Sequence, residues 1–276
     1  MICAACSKQS WQYSTMSENS VITEDHGRVR TITINRPQAL NSMNNDVFAG
    51  IKEALGTAEI DNSVAVVIVT GAGRAFSAGQ DLTEMQQGLE GEPVIHQFPA
   101  MLQQLTNFKK PLIAAVNGLG VGIGMTFLAH CDLVFMASSA RLRTPFPQLG
   151  LAPEAGSSYT FATRMGWQNA AYTLMSGRWF SADECKNMGL VWRVTEPETL
   201  LEEAMSVAQE LAINPIPSLI ATKQLMMDSG RPTEAWAAHK RENGAYAVLL
   251  GAPANQEAVS AFIQKREPDF LSIPDI

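Results

Sequence analysis

Cysteine is scarce in this chain of 276 residues, and its four cysteines are too few for a disulfide scaffold. Cys3 and Cys6 form a CxxC pair, but no second pair or histidine follows at the spacing of a zinc site, so we expect free thiols in a reducing compartment. Charged residues make up only 17% of the chain, and the net charge is −7. A nucleic-acid-binding protein needs a basic face to displace counterions from phosphates, so this balance argues against that class.

No apolar run is uniform enough to span a membrane. The longest, Leu119 to Ala137, contains Thr126, His130, Asp132 and three glycines. A bilayer would leave those polar groups without water. We therefore interpret the run as two successive elements of a soluble core.

Targeting signals are also missing from the chain. Residues 1–10 have neither the basic nor the apolar region of a secretory signal, and residues 272–276 do not form a peroxisomal address. We expect a soluble, cytoplasmic protein in which residues 1–16 are a disordered leader and Met16 is an alternative start.

The chain does have the apolar sequence for a large core, since 46% of its residues are hydrophobic. Strand and helix patterns alternate over the first two thirds, which is typical of parallel α/β layering. The predicted elements are a hairpin over 20–36, a helix over 41–59, buried strands over 64–69, 111–116 and 133–136, and a small-residue helix over 122–130. We predict an α/β fold with a core at 17–197 and a helical C-terminal region at 198–276.

Two segments that follow predicted strands could carry chemistry. Residues 74–81 are mainly small, which lets a ligand approach the backbone, although an ordinary strand-to-helix connection explains the same pattern. Residues 118–124 read GxGxGxG rather than GxGxxG, so a dinucleotide-binding turn is not expected. The helix that follows offers unpaired N–H groups to a developing negative charge, but close packing on the sheet would also require these glycines.

Glu154 is the only acidic or basic residue between Arg143 and Arg164. A carboxylate among apolar neighbours is difficult to ionise, so its pKa should rise, which suits a base that takes and returns a proton near neutral pH. The alternative is a solvated loop glutamate that precedes a helix capped by Ser157 or Ser158.

The other titratable residues have structural interpretations. We interpret His130 as a core histidine with satisfied hydrogen bonds and Cys131 as a small core residue. Asp81 and Asp132 are interpreted as structural residues at a loop and a helix end. No Ser–His–acid order or metal-ligand cluster is visible, and no metal site is predicted.

Together, the segments resemble the crotonase superfamily, which contains the enoyl-CoA hydratases and isomerases. The matching motifs are NRPxALN at 35–41, AFSAGxD at 75–81, Asn117-Gly118 followed by Cys131-Asp132, and AFIQKR at 261–266. The resemblance covers residues 20–266. It implies a crotonase-like ββα spiral core with a helical C-terminal trimerisation region, an acyl-CoA thioester as substrate, and a homotrimer or a dimer of trimers.

The resemblance also implies roles for individual residues. In the family, two backbone N–H groups bind the thioester oxygen, and the matching groups here belong to Gln80 and Ile123. The residues expected to contact the acyl-CoA are Leu40, Ala78, Gly79, Gly122, Phe262 and Lys265. In the family, the tail that carries the last two often approaches from a neighbouring subunit.

The subgroup follows from departures within the resemblance. Hydratases of this superfamily use two glutamates to activate water, and those positions hold Thr126 and Phe146 here. Residues 144–159 instead resemble the peroxisomal-type Δ3,Δ2-enoyl-CoA isomerases, in which the glutamate that matches Glu154 is the catalytic base. The resemblance therefore implies an isomerase that needs no metal or redox cofactor, with coenzyme A as part of its substrate.

Two alternatives stay open. The first is a hydratase or another crotonase reaction that recruits Asp81 or Glu84. The second is a non-catalytic acyl-CoA-binding protein. In either case, the acyl pocket is expected to draw on residues 82–104.

Overall fold

A six-stranded sheet forms the centre of the computed structural model, which describes residues 19–81 and 96–273. Its strands are β1 (Val21–His26), β2 (Val29–Ile34), β3 (Val66–Gly71), β5 (Leu112–Val116), β7 (Leu133–Ala137) and β10 (Arg193–Thr195). They lie in the order β1-β2-β3-β5-β7-β10. β1 and β2 form an antiparallel hairpin, and the other neighbouring pairs are parallel.

A second, four-stranded sheet carries the two glycine-containing segments at 74–81 and 118–124. Its strands are β4 (Ala75–Ser77), β6 (Leu119–Val121), β8 (Arg141–Arg143) and β9 (Phe180–Ser181), in the order β4-β6-β8-β9. β4 and β6 are parallel, with Ser77 opposite Gly120. The two segments therefore each contain one strand, and these two strands are neighbours in the sheet.

The helices of the described residues cover the sheets and form the C-terminal region. They are α1 (Asn45–Ile60), α2 (Phe98–Asn107), α3 (Ile123–Thr126), α4 (Ser157–Met165), α5 (Trp167–Ser176), α6 (Ala182–Asn187), α7 (Leu200–Ala212), α8 (Ile216–Met227), α9 (Arg231–Leu249) and α10 (Pro253–Gln264). Short 3₁₀ helices occur at Pro37–Ala39, Phe127–His130, Pro147–Leu149 and Phe270–Ser272. None of the helices within these ranges combines the length and apolar character needed to cross a bilayer.

Local sequence explains the main elements. The β-branched run of β3 is buried throughout, as expected for a parallel strand covered on both faces. The Asn44 side chain accepts a hydrogen bond from the Val47 N–H and caps α1. Val47, Ile51 and Leu55 then lie on the buried face of that helix at helical spacing.

The predicted α/β architecture is confirmed, with two differences. The helix predicted over 122–130 is one α-helical turn, α3, followed by a 3₁₀ helix. The second sheet was not predicted, because three-residue strands are too short to show an alternating pattern. The predicted leader, Cys3, Cys6 and residues 82–95 of the predicted acyl-pocket segment lie outside the described residues.

Candidate active site

The loop after β4 packs directly against the backbone that joins β6 to α3. Gly79 has a φ of 97°, and a Cβ atom there would lie 2.9 Å from the carbonyl oxygen of Val121. A Cβ atom on Gly124 would overlap the carbonyl oxygen of Ser77. Only glycine allows both approaches, so the glycines bring Gln80 and Ile123 to the same place on the sheet.

The amides on either side of Gln80 already have acceptors. The N–H of Gly79 donates to the Ser77 hydroxyl at 3.2 Å, and that of Asp81 donates to the Met43 carbonyl at 3.0 Å. Within residues 19–81 and 96–273, the N–H of Gln80 has no acceptor.

Ile123 presents a second amide of the same kind. It is the first residue of α3, so its N–H has no partner inside the helix. Gly122 before it has a φ of 53° and donates its own N–H to the Arg143 carbonyl at 3.0 Å. No acceptor for the Ile123 N–H occurs in the part of the chain that the structure describes. Both amides are therefore unpaired among the described residues, and their role as donors to one thioester oxygen stays a prediction.

Leu40 supports the first of these loops. Its carbonyl accepts the N–H of Ala78 at 2.9 Å, and its own φ is 52°. The buried Asn41 side chain then donates to the carbonyls of Ala72 and Ala75. The structure thus brings Leu40, Ala78 and Gly79 together next to Gln80.

Glu154 lies in the connection before α4 and is partly accessible, with most of its surface covered. The Thr126 hydroxyl donates to its Oε1 atom at 2.6 Å. Burial raises the pKa of Glu154 from 4.5 to about 8, the Thr126 hydrogen bond lowers it, and the charge of Glu242 raises it. This partial burial and the hydrogen bond from Thr126 argue against a fully solvated loop glutamate.

The carboxyl group and one of the two amides are tied to the same short helix. Thr126 follows Ile123 by three residues in α3, a rise of about 4.5 Å along the axis. The hydrogen bond from Thr126 therefore holds Glu154 about one helical turn from the Ile123 N–H. The predicted base and one of the two predicted oxyanion donors are thus linked through α3.

Two neighbours of Glu154 were not found from the sequence, and both belong to α9. The Glu242 side chain accepts the N–H of Gly156 and the N–H and hydroxyl of Ser158. Burial and the charge of Glu154 raise the pKa of Tyr246. The alternative in which Ser157 or Ser158 caps α4 is not observed, since Gly156 is the N-cap and the carboxylate of Glu242 binds the N–H groups at the helix start.

The residues interpreted as structural do make structural contacts. The His130 ring is buried with Nε2 2.9 Å from the Ala155 carbonyl, and burial lowers its pKa to about 4. Cys131 is fully buried, and burial raises its pKa to about 12. Asp81 pairs with Arg36 and Asp132 pairs with Lys223, at 2.8 and 2.7 Å.

Phe262 and Lys265 stand apart from the other predicted residues. The Phe262 side chain is 70% exposed, and Lys265 ends α10 with a φ of 55°. Among the described residues, no hydrogen bond or ion pair joins either of them to the loops at 78–80 and 122–126. Their contact with an acyl-CoA stays a prediction, and it would require a neighbouring subunit or a movement of α10.

Known proteins share the sequence and fold of this chain over most of its length. A family model described as enoyl-CoA hydratase/isomerase matches residues 24–272. The chain is 34% identical over 255 residues to the 2,3-dehydroadipyl-CoA hydratase of Escherichia coli K12, covering 92% of this chain and 99% of that protein. It is 33% identical over 249 residues to the 1,2-epoxyphenylacetyl-CoA isomerase of the same strain, and the match covers 88% of this chain and 94% of that protein. The crystal structure of an enoyl-CoA hydratase/isomerase from Pseudoalteromonas atlantica T6c matches with a TM-score of 0.86 at 33% identity. The match covers 91% of this chain and 99% of that chain.

Proposed function

Because this chain belongs to the enoyl-CoA hydratase/isomerase family, we propose that it is a Δ3,Δ2-enoyl-CoA isomerase with Glu154 as its base. The observation that carries the proposal is the enclosed Glu154 carboxyl group, held by Thr126 one turn from the free amide of Ile123. The substrate would be an acyl-CoA thioester whose double bond moves from C3–C4 to C2–C3.

The first step is removal of a C2 proton. Glu154 takes the proton, and the electron pair of the C2–H bond passes into the thioester to give a dienolate. The N–H groups of Gln80 and Ile123 stabilise the negative charge that develops on the thioester oxygen. An enclosed carboxyl group with a pKa of about 8 is a stronger base than a solvated one, which favours this transfer.

The second step returns the same proton to C4. The dienolate electrons form the C2–C3 double bond, and Glu154 becomes a carboxylate again. One carboxyl group suffices, because its two oxygens can face C2 and C4 in turn. No electrons leave the substrate, so the reaction requires no redox cofactor or metal.

A hydratase is the second candidate, favoured by the names of several relatives. Water addition in this family uses two carboxyl groups, and the matching positions hold Thr126 and the buried Phe146. Among the residues that the structure describes, Glu242 is a second carboxylate near Glu154, but both of its oxygens already accept hydrogen bonds from the chain. Glu84 lies outside the described residues, and Asp81 is paired with Arg36. These contacts support an isomerase over a hydratase.

A pair of substrates tests the proposal. Purified protein is incubated with 3-enoyl-CoA and, separately, with 2-enoyl-CoA of the same chain length, over a series of lengths. We expect the conjugated thioester absorbance to rise with the first substrate and to persist with the second. Loss of that absorbance from 2-enoyl-CoA, without any double-bond shift in 3-enoyl-CoA, would identify a hydratase instead. Tight binding without turnover of either substrate would indicate an acyl-CoA-binding protein.

Thr126→Val is expected to move the pH profile of the isomerase. The Thr126 hydrogen bond lowers the pKa of Glu154, so removing it raises that pKa and leaves less carboxylate at neutral pH. The acid limb of kcat/KM should therefore move to higher pH, and kcat/KM near pH 7 should fall roughly tenfold. An acid limb at the wild-type pH would show that Thr126 does not tune the base. Thr163→Val, which removes an exposed hydroxyl that donates within its own helix, serves as the matched control.

A further inference from the structure

Glu242 is a buried carboxylate on α9, with 5% of its surface exposed. Its Oε2 atom accepts the N–H of Gly156 at 2.6 Å. Its Oε1 atom accepts the N–H and the hydroxyl of Ser158 at 2.8 and 2.6 Å. The start of α4, where the helix dipole favours negative charge, thus holds Glu242 in a single position.

One of these hydrogen bonds acts on the second peptide group after the proposed base. The Ala155–Gly156 peptide has its N–H bound by Glu242 and its carbonyl bound by the Nε2–H of His130 at 2.9 Å. Ala155 has a φ of 60° and Gly156 a φ of 71°, so two consecutive residues have left-handed backbone conformations. Alanine rarely adopts this conformation, and the contacts on both polar groups of the peptide hold it there.

The backbone of α9 packs closely against this peptide. A Cβ atom on Gly156 would lie 2.5 Å from the Ala235 carbonyl, so the backbone of α9 lies directly against the loop. Rotation of the Ala155–Gly156 peptide would break both hydrogen bonds and disturb the turn in which the Glu154 carbonyl accepts the N–H of Ser157 at 3.0 Å. Helix α9 therefore holds the turn that carries Glu154, and Thr126 holds its carboxyl group.

We infer that Glu242 is a positioning residue for the base, which fixes the Ala155–Gly156 peptide and places a negative charge beside Glu154. The inference rests on the proposed role of Glu154 as the base. Glu242 does not touch the reacting atoms, since its oxygens are occupied by the donors of α4. Its two effects, on geometry and on charge, can be separated by substitution.

The charge effect has a defined sign. Glu242 is one of the causes that raise the pKa of Glu154, so neutralising it lowers that pKa. The charged and titratable groups that face this region from the elements packed on α9, and from α9 itself, are His130, Glu154, Arg164, Arg231, His239 and Tyr246. Burial lowers the pKa of both histidines from 6.5 and raises that of Tyr246 from 10, so these shifts move all three away from the pKa of about 8 of Glu154.

The experiment compares full pH profiles of kcat and KM for Glu242→Gln and Glu242→Asp. Glutamine keeps the shape but loses the charge and one acceptor, so we expect a lower kcat, by roughly 10- to 100-fold, and an acid limb at lower pH. Aspartate keeps the charge but is too short to reach both donors, so kcat should fall while the acid limb stays in place. KM should change by less than about threefold in both variants, because Glu242 does not contact the substrate.

Glu184→Gln is the matched control. Glu184 also accepts a backbone N–H at a helix start, that of Ser181 in the capping box of α6. It should lower the unfolding temperature without moving the pH profile. Glu242→Gln profiles that superimpose on the wild type would reduce Glu242 to a helix cap and overturn the inference. If Glu242→Gln does not fold, Glu242→Asp decides alone, and an unchanged kcat in that variant overturns the inference.

A second readout does not depend on turnover. The carboxyl titration of Glu154 is followed by infrared difference spectroscopy, in which each protein is compared with the same protein carrying Glu154→Gln. The titration should lie at lower pH in Glu242→Gln than in the wild type and should be unchanged in Glu184→Gln. An unchanged titration in Glu242→Gln would overturn the inference, whereas failure of the wild type to convert 3-enoyl-CoA would count only against the isomerase.

Discussion

Glu154→Gln is expected to lower the kcat for 3-enoyl-CoA by about 10²–10⁴-fold, with KM changed little. Glutamine fills the same space and can still receive the Thr126 hydrogen bond, but it cannot take a proton from C2. No other carboxylate in the described residues is positioned to replace it, because Glu242 is occupied by the start of α4. The measurement is the steady-state rate of formation of the conjugated thioester.

A measurement of unfolding stability distinguishes loss of the base in Glu154→Gln from misfolding of the variant. The pKa of Glu154 is raised from 4.5 to about 8, so the unfolded chain releases this proton more readily than the folded chain. The stability that this group contributes is fully present below about pH 4.5 and is lost as the pH rises through about 8. Glutamine does not ionise, so the variant does not lose this stability at alkaline pH. At about pH 9 the free energy of unfolding of Glu154→Gln should exceed that of the wild type by on the order of 2–5 kcal/mol.

The control for this substitution is Glu53→Gln, which changes an exposed glutamate of α1 in the same way. It should leave kcat unchanged, because an exposed side chain of α1 does not contact the candidate site. A Glu154→Gln variant with near wild-type turnover would rule out Glu154 as the base. A variant that is less stable than the wild type at alkaline pH would contradict the enclosed, hard-to-ionise carboxyl group.

Gly124→Ala is expected to lower kcat by about 10²–10³-fold, the effect of losing one oxyanion donor. Backbone amides survive ordinary side-chain substitutions, so the test must move the backbone. A Cβ atom on Gly124 would overlap the Ser77 carbonyl and push α3 away from the loop that carries Gln80. Gly79→Ala, with its φ of 97° and a contact of 2.9 Å to the Val121 carbonyl, should have the same effect from the other side.

Gly56→Ala is the control for these two variants. Gly56 lies within α1, and nothing lies within 4 Å of a Cβ atom there. Alanine should therefore be tolerated and stabilise the helix by about 0.5–1 kcal/mol. Wild-type kcat in folded Gly124→Ala and Gly79→Ala would show that the two amides do not act together on the thioester oxygen.

Much of the α/β core could be predicted because it depends on local sequence. The strands β3, β5 and β7 are short apolar runs bounded by glycine, asparagine or charged residues, and each lies within about two residues of its predicted position. The second sheet depends instead on backbone contacts between segments far apart in the chain. Its pairing of Ser77 with Gly120, for example, leaves no periodic pattern in either segment.

In the candidate site, too, some residues could be predicted from local sequence and others depend on contacts between distant segments. Glu154 could be found because no other charge lies near it in the sequence. Glu242 could not, because it follows Lys240 and Arg241 and resembles part of a solvated helix face. Lys240 and Arg241 are indeed exposed, and only Glu242 of the three turns inward, toward donors 84 and 86 residues away. A contact of that range depends on how α9 packs on α4, which the residues alone do not reveal.

Hydrogen transfer within the substrate tests the central claim most directly. A 3-enoyl-CoA carrying deuterium at C2 is converted in ordinary water, and the product of the first turnovers is examined for deuterium at C4. Because the carboxyl group of Glu154 is enclosed and returns the hydrogen that it removes, we expect part of the label to appear at C4. A 2-enoyl product whose C4 hydrogen comes entirely from water would contradict a single carboxyl group that moves hydrogen between the two carbons.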